Sequence, residues 1–287
     1  MKPVNEKLLF SLKIHKQLAE IGFNPYEAYT CLQLSQVSYL HIDKQRKKLK
    51  KYNFSYFRSF TKENTYAFIC KKNDIVYITF RGTDFSNKND ILDDLDIKKV
   101  KEGVGHVHKG YKRHLDRVWK DILLELSKIN FSRIVITGHS MGGAVGQIAN
   151  YRLPGSKGYF FGSSRSVDSK IYKDQKSFIY HIQNEYDLVS TLPPKLLGFR
   201  LLGERYILKY GKLYPRTQSL FEIFYTIMYM IFFLTIYGVT KIFGVKDKIK
   251  NLLWKNHEIA DYHTNLEAYI VEETFNILRY EKKIKKN

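Results

Sequence analysis

Cysteine, proline and acidic side chains are the scarce residues of this chain. Two cysteines and six prolines occur in 287 residues. Cys31 and Cys70 make no CxxC pair, which excludes a disulfide framework and a cysteine-based zinc site. They read as reduced core thiols in a reducing compartment. No proline-rich linker, internal repeat or low-complexity tract divides the chain, and its length suits one large domain, residues 1–287. The opening MKPVNEKLLFSLKIHKQLAEIGF is interrupted by Lys13, His15, Lys16 and Glu20 and offers no small-residue cleavage site. It reads as an amphipathic helix rather than a signal peptide, so the expected location is cytoplasmic with peripheral membrane association.

Acidic residues number 28 against 48 basic ones, a formal charge of +20. That balance favours a polyanionic partner. No zinc-finger spacing, RNP-like aromatic strand or heptad with a basic region is present, which argues against nucleic acid. An anionic membrane surface is the favoured alternative. The densest basic run, KQRKKLKK from Lys44 to Lys51, reads as a solvated helix face or loop.

Strand and helix signals alternate through the middle of the chain. Helices are predicted at about Asn5–Ile21 and Pro25–Leu40, the second opened by Asn24-Pro25. YAFICKK and DIVYITFRG are β-branched and aromatic and read as strands. A polar acidic loop, TDFSNKNDILDDLDI, follows. Leu115, Val118, Trp119, Ile122, Leu123 and Leu126 have helical spacing. A strand at Arg133–Thr137, a glycine turn and a helix at Ala144–Tyr151 come next, then short strands in KGYFFGSS and FIYHIQNEYDLVS. A last helix is predicted at about Glu258–Tyr280. The pattern predicts an α/β fold with a mostly parallel sheet covered on both faces.

Gly138-His139-Ser140-Met141-Gly142 fits G-x-S-x-G. The pattern alone is weak, but a β-branched strand leads in and a helix rich in small residues leads out. Such a turn is tight enough that side chains two residues to either side of the serine would collide, hence glycine there. It would lift Ser140 Oγ to the top of the sheet. It would also place the Met141 N–H at a helix N-terminus, where it can face an oxyanion. A serine nucleophile further needs a base and an orienting carboxylate.

FRGT, VHKGY, VITGHSMGGA and NEYDLVSTLPP occur in this order. Together they resemble the class 3 lipase family over about residues 65–194. The resemblance implies an α/β-hydrolase fold, a Ser-Asp-His triad acting on carboxylic esters of lipids, and no metal or organic cofactor. It assigns the acid to Asp187, with Glu185 fitting less well, and the second oxyanion-hole donor to Thr83 beside Met141. His108 matches a motif position with a structural role, and His139 is not the base. Asp84 and Asp94 receive no chemistry. For the base, His257 lies where the family's last helix begins, with Tyr262 beyond it. The runner-up, His263, falls on the stripe Ile259, Tyr262, Leu266, Tyr269, Ile270, where a core role is commoner. Ser164 stands where the family usually has proline, and Ile91 or Asp90 stands where an aromatic is common.

Residues 1–64 read as a helical N-terminal part and residues 195–256 as an apolar and basic insertion. Within the insertion, Ile223–Val239 is 17 residues without a charge, between Glu222 and Lys241. A single membrane crossing there would separate Asp187 from His257. The segment is therefore read as a lid, a helix dipping into one leaflet, or a core helix. The commitment is a lipid ester hydrolase, of triacylglycerol lipase or phospholipase A1 type, at a lipid surface. The alternative is a non-catalytic membrane-binding or signalling protein on the same scaffold.

Overall fold

The computed structural model describes residues 22–83, 98–175, 178–185, 187, 189–210, 212–215, 257–262, 265, 266 and 269. The helix expected at 5–21, the acidic loop at 84–97, the apolar run at 220–239 and most of the last helix lie outside them. In chain order the elements are α1 (Pro25–Val37), α2 (Ile42–Lys51), β1 (Tyr56–Lys62), β2 (Thr65–Lys72), β3 (Ile75–Phe80), β4 (Lys99–Glu102) and β5 (Gly105–His108). Then follow α3 (Lys109–Leu126), β6 (Arg133–His139), α4 (Met141–Arg152), β7 (Lys157–Phe161), α5 (Ser169–Asp174), β8 (Phe178–Asn184), β9 (Glu204–Lys209) and β10 (Lys212–Pro215). Single 3-10 turns span Val189–Thr191 and Lys195–Leu197.

Eight strands form one sheet in the order β1-β2-β3-β6-β7-β8-β9-β10. The pairs from β3 to β9 are parallel; β1, β2 and β10 attach antiparallel at the edges. The mostly parallel sheet expected from the sequence is therefore present. It extends into stretches read as something else, with β1 inside residues 1–64 and β9 and β10 inside residues 195–256. β4 and β5 form a separate hairpin.

Both faces of the central strands are apolar, as parallel strands covered by helices require. The two-residue period of a strand sorts their side chains. Val76, Ile78 and Phe80 of β3 and Ile134 and Ile136 of β6 join one core with Leu115, Val118 and Ile122 of α3 and Ala144, Val145 and Ile148 of α4. Tyr77 and Val135 point to the other face, among Ala28, Cys31 and Leu32 of α1, Leu49 of α2, and Tyr262 and Leu266. Both cysteines are free and buried in this second core.

The local signals behave as their chemistry dictates. Asn24 caps α1, its side-chain oxygen accepting from Glu27 N–H at 3.0 Å, and Pro25 opens the helix. α1 ends at Val37, short of Leu40, with Ser38 Oγ donating to the Ser35 carbonyl at 2.7 Å. α2 carries the basic run. Gln45 and Leu49 face inward, while Lys44, Arg46, Lys47, Lys50 and Lys51 are exposed.

A buried ion group fastens α1 to the sheet. Glu27 meets Arg133 at 2.6 Å and Lys157 at 3.1 Å, and the Lys157 side chain is 1 % exposed. Lys157 Nζ also lies 5.3 and 5.7 Å from the ring centroids of Tyr159 and Tyr180. Removing one partner of such a group strands a buried charge. Glu27→Ala should therefore cost about 3–5 kcal/mol in urea unfolding.

His181, on β8, is buried against Phe160. Burial, then the nearby Arg205 charge, pushes its pKa down to about 3. The unfolded chain binds that proton near pH 6.5 and the folded one does not. The contribution is thus complete above about 6.5 and is lost by up to about 1.4 kcal/mol per unit as pH falls towards 3. His139, also held neutral by burial, acts in the same direction. His181→Leu should flatten the acid limb of a stability-against-pH curve by about one proton.

Candidate active site

Register brings the candidate residues to one edge. Phe80 of β3 aligns with Gly138 of β6, His139 with Phe161 of β7, and Phe161 with Ile182 of β8. The turns after these strands, at Gly82, Ser140, Gly162 and Asp187, therefore leave the sheet side by side at its carboxyl end. Ligand sites of parallel sheets form at that end.

Ser140 sits between β6 and α4 with φ 59° and ψ −129°. A side-chain-bearing residue held there costs about 1–3 kcal/mol. Its N–H donates to the Phe161 carbonyl at 2.9 Å, and its carbonyl accepts from Gly143 and Ala144. The flanking glycines are sterically required. A Cβ on Gly138 would lie 2.5 Å from the Gly142 carbonyl carbon, and one on Gly142 would collide with the Phe80 carbonyl. Gly82 approaches as closely: a Cβ there would sit 2.7 Å from the His139 carbonyl oxygen and 3.2 Å from Ser140 Cβ. Thr83 Oγ1 lies 3.4 Å from Met141 Sδ, so the two predicted oxyanion residues are neighbours.

Asp187 and His257 are joined through Oδ2 and Nδ1 at 2.9 Å, and both side chains are wholly buried. Tyr262 donates to the same oxygen at 2.5 Å, while Val189 N–H donates to Oδ1 at 2.9 Å. Tyr262 Oη in turn accepts from Asn184 N–H at 3.0 Å. Burial, then the Asp187 charge, pushes the Tyr262 phenol well above its usual range, so it stays a donor. His263 lies outside the described residues, and Glu185 pairs with Lys209.

Four residues without a role in the sequence reading hold this arrangement. Arg165, 1 % exposed, follows β7 and donates to the carbonyls of Thr191 and, at 3.1 Å, Pro193. Its own N–H donates to the Leu192 carbonyl at 2.6 Å. One residue thus gathers consecutive carbonyls of the loop after Asp187. Beside it, at the position where proline was expected, the Ser164 carbonyl accepts from Gln147 at 2.8 Å. The His139 ring packs against that of His257, and the Tyr39 hydroxyl lies against His139. Of these only His139 belongs to a motif; Arg165 and Tyr39 become legible once the fold brings their segments together. His108 stacks on Tyr111 at 4.0 Å.

Residues 77–197 match the family model described as Lipase (class 3). A secreted mono- and diacylglycerol lipase of Malassezia globosa is 26% identical over 171 residues, 56% of this chain and 50% of that protein. The chain thus matches about half the length of that relative. Among solved structures, Rhizomucor miehei triacylglyceride lipase has a TM-score of 0.53 at 21% identity, covering 64% of this chain and 79% of that one. The lipase of Rhizopus microsporus var. chinensis gives 0.56 at 20%, covering 67% and 76%. These structures share the α/β-hydrolase fold. The expectation of a cytoplasmic protein is overturned by the curated relative, which is a secreted lipase. Scarce cysteines and an N-terminal stretch that does not read as a signal peptide were its basis, and neither reports where a chain is delivered.

Gly162 offers a direct test of the packing around Asp187. It has φ +53°, and a Cβ there would lie 2.6 Å from Asp187 Oδ2 and 2.9 Å from both His257 Cε1 and Tyr262 Oη. Gly162→Ala should lower the melting temperature and displace the Asp187 carboxylate in a crystal structure. Tyr262→Phe, which leaves the Asn184 N–H buried without its acceptor, should cost about 1–3 kcal/mol.

Proposed function

We propose that the chain is a serine hydrolase that cleaves carboxylic esters of lipids, with Ser140 as nucleophile, His257 as base and Asp187 as the carboxylate that orients it. The buried Asp187–His257 hydrogen bond carries the reading. It keeps the proton on Nδ1 and makes Nε2 the basic nitrogen of the neutral ring. His257 takes the Ser140 proton as Oγ attacks the ester carbonyl. The N–H groups of Thr83 and Met141 receive the oxyanion. The imidazolium returns its proton to the leaving alcohol, and water then releases the acid from the acyl-enzyme by the same steps. The family match over residues 77–197 supports this reading. So does a triacylglycerol lipase of the same fold, whose catalytic centre is described as a serine protease triad.

The substrate is proposed to be met at a lipid surface. Leu196 and Leu197, 80% and 40% exposed, form a turn directly after the Asp187 loop, with exposed Lys98 and Lys99 on the neighbouring hairpin. Lys99 reaches that turn, its Nζ lying 4.9 Å from the Phe199 ring centroid. An apolar tip with a basic rim suits an anionic lipid interface. The charge of +20 favours a phospholipid, whereas the curated relative is named for mono- and diacylglycerols. The chain is proposed to act as one domain.

Fatty-acid release from anionic phospholipid vesicles and from emulsified diacylglycerol, compared with Ser140→Ala, tests the function. Wild type should release acid from at least one of the two, and Ser140→Ala, Asp187→Asn and His257→Gln should each lose roughly a thousandfold or more in kcat. Vesicle binding without release by wild type would favour a non-catalytic lipid-binding role. Release undiminished in Ser140→Ala would remove Ser140 from the mechanism.

A further inference from the structure

The helical segment ahead of the sheet carries no catalytic motif, yet one of its side chains reaches the residue that precedes Ser140. Tyr39 follows α1, and its hydroxyl lies 3.0 Å from His139 Nδ1. His139 Nε2 lies 2.8 Å from the main-chain oxygen of His257. A carbonyl can only accept, so Nε2 bears the proton and Nδ1 accepts from the Tyr39 O–H. The His139 ring is wholly buried, 4.7 Å from the His257 ring at 30° and 5.8 Å from the Tyr262 ring. The Tyr39 hydroxyl also fills the place a Cβ on Gly82 would take, so it touches the loop that carries Thr83.

We propose that Tyr39 and His139 form a positioning chain that fixes the main chain of His257 and keeps the ring packed against it neutral. The inference rests on the reading of His257 as the base. When His257 takes the Ser140 proton, a second positive ring 4.7 Å away would oppose it by Coulomb repulsion. Protonating His139 on Nδ1 would require breaking the bond from Tyr39. Burial, and after it the neighbouring His257, act in the same sense, lowering the proton affinity of His139 well below its ordinary value. The sequence on its own makes His139 a common occupant of the turn; the two hydrogen bonds give it a task.

The test uses Tyr39→Phe, His139→Leu and His139→Gln, whose amide N–H can still donate to the His257 carbonyl. Three readouts are taken on each: kcat and KM on a soluble short-chain ester, the downfield proton resonance of the His257 Nδ1–H bonded to Asp187, and the melting temperature. His139→Leu should lower kcat about a hundredfold and Tyr39→Phe about tenfold, with KM within about twofold, and Gln should recover most of the loss. The resonance should persist in His139→Gln and broaden or shift in His139→Leu. A lowered melting temperature with kcat per folded molecule unchanged would overturn the proposal, as would an unaltered resonance in His139→Leu. If wild type hydrolyses no ester, the hydrolase reading fails, and the resonance still decides whether the chain positions His257. Should His139→Leu not fold, an unchanged kcat and resonance in Tyr39→Phe would overturn it.

Discussion

Ser140 leaves β6 with φ 59° and ψ −129°, a conformation that a residue with a side chain adopts only under constraint. The constraint is supplied from several directions. β3 and β7 hold β6 in parallel register, the Phe161 carbonyl takes the Ser140 N–H, and α4 starts at the next residue. Each neighbour must come so close that glycine stands at 82, 138 and 142. The turn is thus a product of the sheet, and the apolar cores on both faces supply the rigidity that keeps it strained.

Beside this turn lies a carboxylate taken wholly out of water. Burying a charge without partners is prohibitive. Asp187 is held by His257, Tyr262 and the Val189 N–H, and its loop is gathered by Arg165. The polar groups here form a connected set in which one member's donor satisfies the next, from Asn184 N–H through Tyr262 to Asp187 and His257. Networks of this kind are expensive when incomplete and rigid when complete. That rigidity aligns the imidazole without help from the aqueous surface.

The sequence made some of this legible and hid the rest for identifiable reasons. Ser140 and its glycines were readable because a strained turn leaves a local pattern. The parallel sheet was readable because strands buried on both faces are apolar throughout. Asp187 and His257 were nameable from the family resemblance, and the described geometry pairs them; the apolar stripe that carries His263 was the local sign that favoured His257. Tyr39 and Arg165 were not readable, since their partners lie 100 residues and 26 residues away in the chain and are brought near by topology alone. The edge strands β1, β9 and β10 were missed because a half-exposed strand has neither the continuous apolar run of a central strand nor a helical period. Location was misjudged because composition speaks of chemistry rather than of delivery.

The last described strand ends at Pro215, yet the imidazole is carried by residue 257. Among the described residues, no ladder of main-chain bonds ties that segment to the strands. Side chains hold it, through the His139 bond to the His257 carbonyl, the Tyr262 hydroxyl between Asn184 and Asp187, and the burial of Tyr262 and Leu266. A segment attached in this way can detach by a sub-global opening whose free energy is only a part of that needed to unfold the sheet. With His257 as the proposed base, the population able to react and the population that is folded are then different quantities. A ligand that closed that seam would raise the first by more than it raised the second.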